Sequence, residues 1–169
     1  MKLIVLRHGD AVQSTRYQDA ERPLTDLGKE QAREAGSILR ASGEHVATII
    51  TSPLTRARET GRIVREILGA GEVGVSEFLV PSTSKRQLLH FLNTPLAGPV
   101  LLVGHEPHLS ELVALLLTGA ERPLFELGKC SLAAVEVPPP VRPGGALLLW
   151  LRHVSAVSAG SNQPSTIHS

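Results

Sequence analysis

The chain has 169 residues, 42% of them apolar, a net charge of +1 at pH 7 and a single cysteine, Cys130. That length suffices for one domain with a sizeable core, while the near-neutral charge excludes a broad nucleic-acid or acidic-membrane surface and the lone cysteine excludes an intramolecular disulfide or a thiolate metal cluster. No apolar run approaches the length of a membrane span, and the N-terminal run lacks the pattern of a secretory leader, so the expectation is a cytoplasmic protein.

In chain order, residues 2–7 read as a continuous apolar strand of the kind buried on both faces of a sheet. It stops at Arg7-His8-Gly9, and the polar stretch 9–24 reads as a loop. A helix follows, with Thr25 as N-cap, Asp26 at its positive end, and Leu27, Gln31, Ala35, Ile38 and Leu39 on one face before Gly43. Val46–Ile50 is a second strand. Either Ser52 or Thr55 caps the next helix, whose apolar stripe is Ala57, Thr60, Gly61, Val64, Ile67 and Leu68 and whose wet face carries Arg58, Arg62 and Arg65. Val73–Val75 reads as an edge strand, Glu77–Pro81 as a loop, and 84–92 as a short helix with Leu88, Leu89 and Leu92 inward. The apolar run 99–103 is a third strong strand, ending at Gly104-His105-Glu106-Pro107, where Pro107 suits a first helical turn. Segments 131–137 and 146–152 read as final antiparallel strands around a Pro-rich loop, with Trp150 in the core.

Strands alternating with helices predict an α/β fold: a three-layer α/β/α sandwich on a mostly parallel sheet of five to six strands. Residues 1–153 form its single domain, and the Ser-rich segment 154–169 is expected to be a frayed tail.

Ligands in such folds collect beyond the carboxyl ends of the strands. Three strand ends deliver Arg7 and His8, then Arg56, then His105. Two guanidiniums and two imidazoles on one rim suit a dianion, since Arg offers paired hydrogen bonds to phosphate oxygens. No P-loop, dinucleotide-binding glycine fingerprint or serine nucleophile elbow is present. His105 and His108, three apart with Pro107 between, do not fit the four-residue spacing of a helical zinc pair, so no metal is expected. His45, His90, His153 and His168 read as surface residues. Asp10 reads either as an orienting group or as a turn cap.

Four segments carry a resemblance: Leu6-Arg7-His8-Gly9-Asp10-Ala11, Arg22-Pro23-Leu24-Thr25-Asp26-Leu27-Gly28, Ser52 to Thr60, and Val103 to Ser110. In these the chain resembles the histidine phosphatase superfamily (the phosphoglycerate mutase-like fold), and within it the small SixA-type phosphohistidine phosphatases. The resemblance implies that His8 is a nucleophile forming a phosphohistidine intermediate. It implies that Arg7 and Arg56 clamp the phosphoryl oxygens, that His105 is a second donor, and that neither metal nor cofactor is needed. Arg22 reads either as a rim residue binding substrate or as a partner of Asp19 or Asp26. Glu77 stands either as the general acid that many relatives carry or as a solvated loop carboxylate.

The implied reaction is metal-independent dephosphorylation of a protein phosphohistidine, for example on a histidine-phosphotransfer domain, by a monomeric enzyme. A phosphomonoesterase for a small phosphorylated metabolite is the alternative, and a non-catalytic phosphate-binding module a third. A weak acid favours the first: an alkoxide needs protonation to leave, whereas imidazole, with a conjugate-acid pKa of roughly 6.5, leaves neutral.

Overall fold

A computed structural model of the chain describes residues 1–69 and 71–155. Strand β1 (Lys2–Arg7) runs through the middle of the molecule with Leu3, Ile4, Val5 and Leu6 fully buried. Its side chains alternate across the sheet, as the twofold period of a strand requires. Leu3 and Val5 join one apolar cluster, Ile4 and Leu6 the other.

The remaining elements are α1 (Asp26–Ala41), β2 (Thr48–Thr51), α2 (Thr55–Leu68), β3 (Glu72–Val75), α3 (Lys85–Leu92), β4 (Val100–Gly104), α4 (His108–Thr118), β5 (Leu132–Glu136) and β6 (Leu147–Arg152). Six strands form one sheet in the order β3-β2-β4-β1-β5-β6. The first four in that order run parallel, and β5 lies antiparallel to both β1 and β6. Ala32, Ala35 and Leu39 of α1, with Ala57 and Val64 of α2, cover one face. Leu88 and Leu92 of α3, with Leu109, Leu112 and Leu116 of α4, cover the other. The α/β class and the three layers are as the sequence predicts. Of the two late strands, only β6 is an edge, because β5 pairs on both sides.

Local chemistry explains the helix starts. Thr25 caps α1 by accepting from Gly28 N, and Ser84 caps α3 by accepting from Gln87 N. Gly69 and Gly119 end α2 and α4 in the left-handed conformation.

Several expectations need correction. Leu27 is 42% exposed, since the buried face of α1 is Gly28, Gln31, Ala32, Ala35, Gly36 and Leu39. Neither Ser52 nor Thr55 caps α2: its cap position is Leu54, without a side-chain acceptor, and Thr55 is already helical. Trp150 is only half-buried on the edge strand, where its Nε1–H donates to Glu44 Oε1 at 3.2 Å. Leu89 packs at the margin of its cluster, and Glu77–Leu79 forms a 3-10 turn within the loop. His45, His90 and His153 are exposed. His168 and residues 156–169 of the expected tail lie outside the described residues. Among the described residues no helix is long and apolar enough to cross a membrane.

Candidate active site

The carboxyl ends of β1, β2 and β4 are stitched together by backbone hydrogen bonds. His8 N donates to Gly104 O at 3.0 Å, and Ser52 N donates to Val103 O at 2.9 Å. This brings the residues after each strand to one place. Beyond β1 the chain crosses the start of α1 at a backbone-to-backbone approach that only glycine permits. A Cβ on Gly9 would lie 2.5 Å from Gly28 O, and one on Gly28 would lie 2.0 Å from Asp10 O. Thr25 N donates to Asp10 O, and Thr60 Oγ1 of α2 accepts from Gly9 N at 3.1 Å. His8 therefore stands on a backbone fixed from two helices.

The His8 ring is 6% exposed, and its Nδ1 lies 2.7 Å from Gly9 O. A carbonyl only accepts, so Nδ1 carries the proton and Nε2 the lone pair. The opposite contact agrees, because Arg56 Nε–H donates to His8 Nε2 at 3.3 Å. Burial pushes the His8 pKa down to about 2, helped by His105, Lys129 and Arg56 and opposed by the Gly9 hydrogen bond. His8 is thus a neutral imidazole with its lone pair facing the guanidinium of Arg56.

The His105 ring sits 5.0 Å from that of His8, centroid to centroid, at a tilt of 56°. It is 2% exposed, and burial, then the charge of Arg56, lowers its pKa to about 3. Its Nε2 lies 2.8 Å from Ser52 Oγ, while its Nδ1 is buried without a protein partner.

Arg7 approaches from β1. Its Nη1–H donates to Leu127 O at 2.6 Å and lies 3.6 Å from Glu126 Oε1, while its Nε is buried without a partner. Arg56 Nη1–H donates to Asp19 O at 2.7 Å, and its Nη2 lies 3.3 Å from Asp19 Oδ2. Arg22 grips the other Asp19 oxygen through Nε and Nη2, and Val12 O through Nη1. Of the two carboxylates weighed as partners of Arg22, Asp19 is the one it pairs with, while Asp26 faces Lys29. The Arg22 hydrogen bond, ahead of Arg56, holds the Asp19 carboxyl below its usual range.

His8, Arg56 and His105 thus meet, Arg7 stands next to His8 at the end of β1 with its guanidinium against Leu127 and Glu126, and Arg22 binds Asp19. Glu77 does not join them through any bond. It is exposed in the 3-10 turn after β3, and its side chain makes no hydrogen bond or ion pair among the described residues. Asp10 proves to be a turn residue, its Oδ2 accepting from Thr25 Oγ1 at 2.7 Å. His108 does not bond to His105: its Nε2 lies 3.1 Å from Phe78 O.

Sequence reasoning missed three contributors. Ser52 reads as a helix cap but bonds to His105. Thr60 reads as part of an apolar stripe but holds Gly9. Lys129 precedes the last pair of strands with no motif around it. Yet Cys130 N donates to Arg7 O at 3.1 Å, which ties the 127–131 turn beside Arg7 and His8. Lys129 is half-buried there, without a hydrogen bond or ion pair among the described residues. Burial, then the charge of Arg7, lowers its pKa, and Asp10 opposes the shift. A groove of about 610 Å³ between α2 and β3 is lined by Arg58, Arg62 and Arg65 and includes none of Arg7, His8, Arg56 and His105.

The geometry describes a neutral imidazole whose lone pair meets the Arg56 guanidinium, with a second buried imidazole beside it. That is the arrangement needed to receive and pass on a phosphoryl group, whose loose transition state is stabilised mainly by positioning and charge.

Comparison with known proteins agrees. Residues 3–79 match the family model for the histidine phosphatase superfamily (branch 1). An uncharacterised protein of Picosynechococcus is 39% identical over 119 residues, which is 66% of this chain and 70% of that one. A 2,3-bisphosphoglycerate-dependent phosphoglycerate mutase of Parvibaculum lavamentivorans is 40% identical over 80 residues, covering 44% of this chain but only 37% of the mutase. Among solved structures, the protein histidine phosphatase SixA complexed with tungstate superposes with a TM-score of 0.77 at 26% identity, covering 90% of this chain and 97% of that one.

Proposed function

The chain belongs to the histidine phosphatase superfamily, and from that premise we propose that it removes the phosphoryl group from a protein phosphohistidine through a covalent intermediate on His8. The observation that carries the reading is the fixed tautomer of His8, with Nδ1–H on Gly9 O and the Nε2 lone pair facing Arg56. In the reaction His8 Nε2 attacks phosphorus as the N–P bond of the substrate breaks. The leaving ring, protonated by solvent on its far nitrogen, departs as neutral imidazole. Arg7 and Arg56 take the phosphoryl oxygens. Water then attacks phosphorus, the His8 Nε2–P bond breaks, and phosphate leaves with the water's oxygen.

Two features support an N–P rather than an ester substrate. Glu77, the carboxylate in the position of an acid, is exposed and unattached, and Asp19 is held by two arginines. The loops on either side of His8 also carry exposed side chains, Tyr17 at 42% and Leu124 at 59%, within reach of an approaching protein surface.

The test compares rates, with chelator present, on a phosphorylated histidine-phosphotransfer domain and on a panel of phosphate monoesters including phosphoserine and 3-phosphoglycerate. Preferential loss of phosphate from the phosphohistidine, abolished in His8→Ala with the fold intact, is the expected result. Preference for an ester overturns the substrate assignment and moves the chain to the metabolite class. Full turnover by His8→Ala removes His8 as nucleophile. Inactivity on every substrate leaves a phosphate-binding module.

A further inference from the structure

We infer that Ser52 is a positioning residue that sets the tautomer of His105: its hydroxyl donates to Nε2, so the second imidazole presents Nδ1–H to the phosphoryl group. The inference rests on the reading of the site as a phosphoryl-transfer centre and adds to it the proton arrangement of its second histidine.

The Ser52 hydroxyl has a single proton to place. The residue is fully buried at the end of β2. Its Oγ lies 2.8 Å from His105 Nε2 and accepts from Leu54 N at 3.3 Å. A hydroxyl has one proton to give and two lone pairs. If His105 donated from Nε2, the Ser52 oxygen would accept twice and its own proton would need another buried acceptor. Among the described residues none bonds to it. The His105 Nδ1, buried without a protein partner, would then be a bare lone pair facing an oxyanion that also brings only lone pairs. With the proton placed the other way, every group is matched. Leu54 N–H and the Ser52 hydroxyl form a chain into Nε2, and the buried, unpartnered Nδ1 becomes a donor for an oxygen of the substrate.

The two histidines therefore carry the same tautomer for opposite uses. In His8 the Nδ1 proton goes into the Gly9 carbonyl so that the Nε2 lone pair is free. In His105 the Nε2 lone pair goes into the Ser52 hydroxyl so that the Nδ1 proton is free. A neutral donor at this place suits the burial of the ring, which disfavours an imidazolium before substrate arrives.

The decisive measurement is made on the wild-type protein. Long-range proton–nitrogen correlation spectra of histidine-labelled protein at pH 7, with His105 assigned by its loss in His105→Gln, should show a protonated Nδ1 and an unprotonated Nε2. The Nδ1 proton should shift when orthovanadate is added as a phosphoryl mimic. Ser52→Ala should populate the other tautomer. It should lower kcat and kcat/KM together by about tenfold, the factor expected when one hydrogen bond's preference is lost, with KM within twofold. An Nε2-protonated His105 in the wild type overturns the inference, as does a Ser52→Ala enzyme of full kcat. The tautomer measurement needs no turnover, so inactivity on all phosphates would defeat the phosphatase reading and still leave Ser52 to be judged by the spectra.

Discussion

Acidification should destabilise this fold through the two histidines of the site, by an amount the structure sets. In the unfolded chain a histidine titrates near 6.5, whereas in the folded chain burial holds His8 at about 2 and His105 at about 3. Below pH 6.5 the unfolded state binds protons that the folded state refuses, so stability rises with pH through this window and is lost as pH falls. At pH 5 each ring contributes about 2 kcal/mol of loss, the two together about 4, against a total stability of about 5–15 kcal/mol. His108, also lowered by burial, acts in the same direction; Glu106, raised by burial, acts in the opposite one. Asp19, held low by Arg22, loses its contribution only below the usual carboxylate range and stays outside this window. Urea unfolding of the wild type and of His8→Gln at pH 7.5, 6 and 5 isolates the His8 share, because the other groups are common to both. The variant should lose about 2 kcal/mol less than the wild type between the highest and lowest pH. Parallel declines in the two proteins would show that His8 is not held neutral by the fold.

Gly28→Ala should cost about 3 kcal/mol or more, because its Cβ would lie 2.0 Å from Asp10 O, a backbone atom that moves only with the β1–α1 connection; Gly74→Ala, with nothing within 4 Å, is the control for thermal denaturation. Lys129→Met should raise KM for the phosphohistidine substrate by about tenfold, the order expected for one charge-assisted contact. An unchanged KM would place its ammonium outside the phosphoryl site, and Arg58→Met in the outer groove should change nothing. Glu77→Gln should leave phosphohistidine hydrolysis within twofold of wild type. A loss confined to phosphoserine would make Glu77 a working acid for esters.

The fold was legible where one residue type decides an element. The unbroken apolar run of β1 marks a central strand, and Gly69 stops α2 where expected. It was not legible where a long-range contact decides. Leu27 looks inward by its apolar character, but it lies about 100° round the helix from Gly28, and the close passage of Gly9 against Gly28 makes the Gly28 side the buried one. Trp150 looks like core by composition, yet β6 is the edge strand, and the ring rests half-covered with Glu44 as its partner.

The site divides in the same way. Arg7, His8, Arg56 and His105 are legible because each lies at or a few residues beyond the carboxyl end of a strand, and strands of a parallel sheet end on one side. What each of them does depends on partners remote in sequence. A lone imidazole carries no indication of which nitrogen holds the proton; the Gly9 carbonyl decides that for His8, and the proposed Ser52 donor decides it for His105. Arg22 and Arg56 are equally basic in sequence, yet Asp19 sits between them, so Arg56 reaches His8 while Arg22 anchors the carboxylate that steadies Arg56. The two proton placements are also coupled. The same burial that keeps His8 neutral keeps His105 from becoming an imidazolium, so a donor at His105 has to come from the choice of tautomer rather than from an added charge. That makes the buried Ser52 hydroxyl, rather than any further cation, the residue on which the proposed donor role of His105 turns.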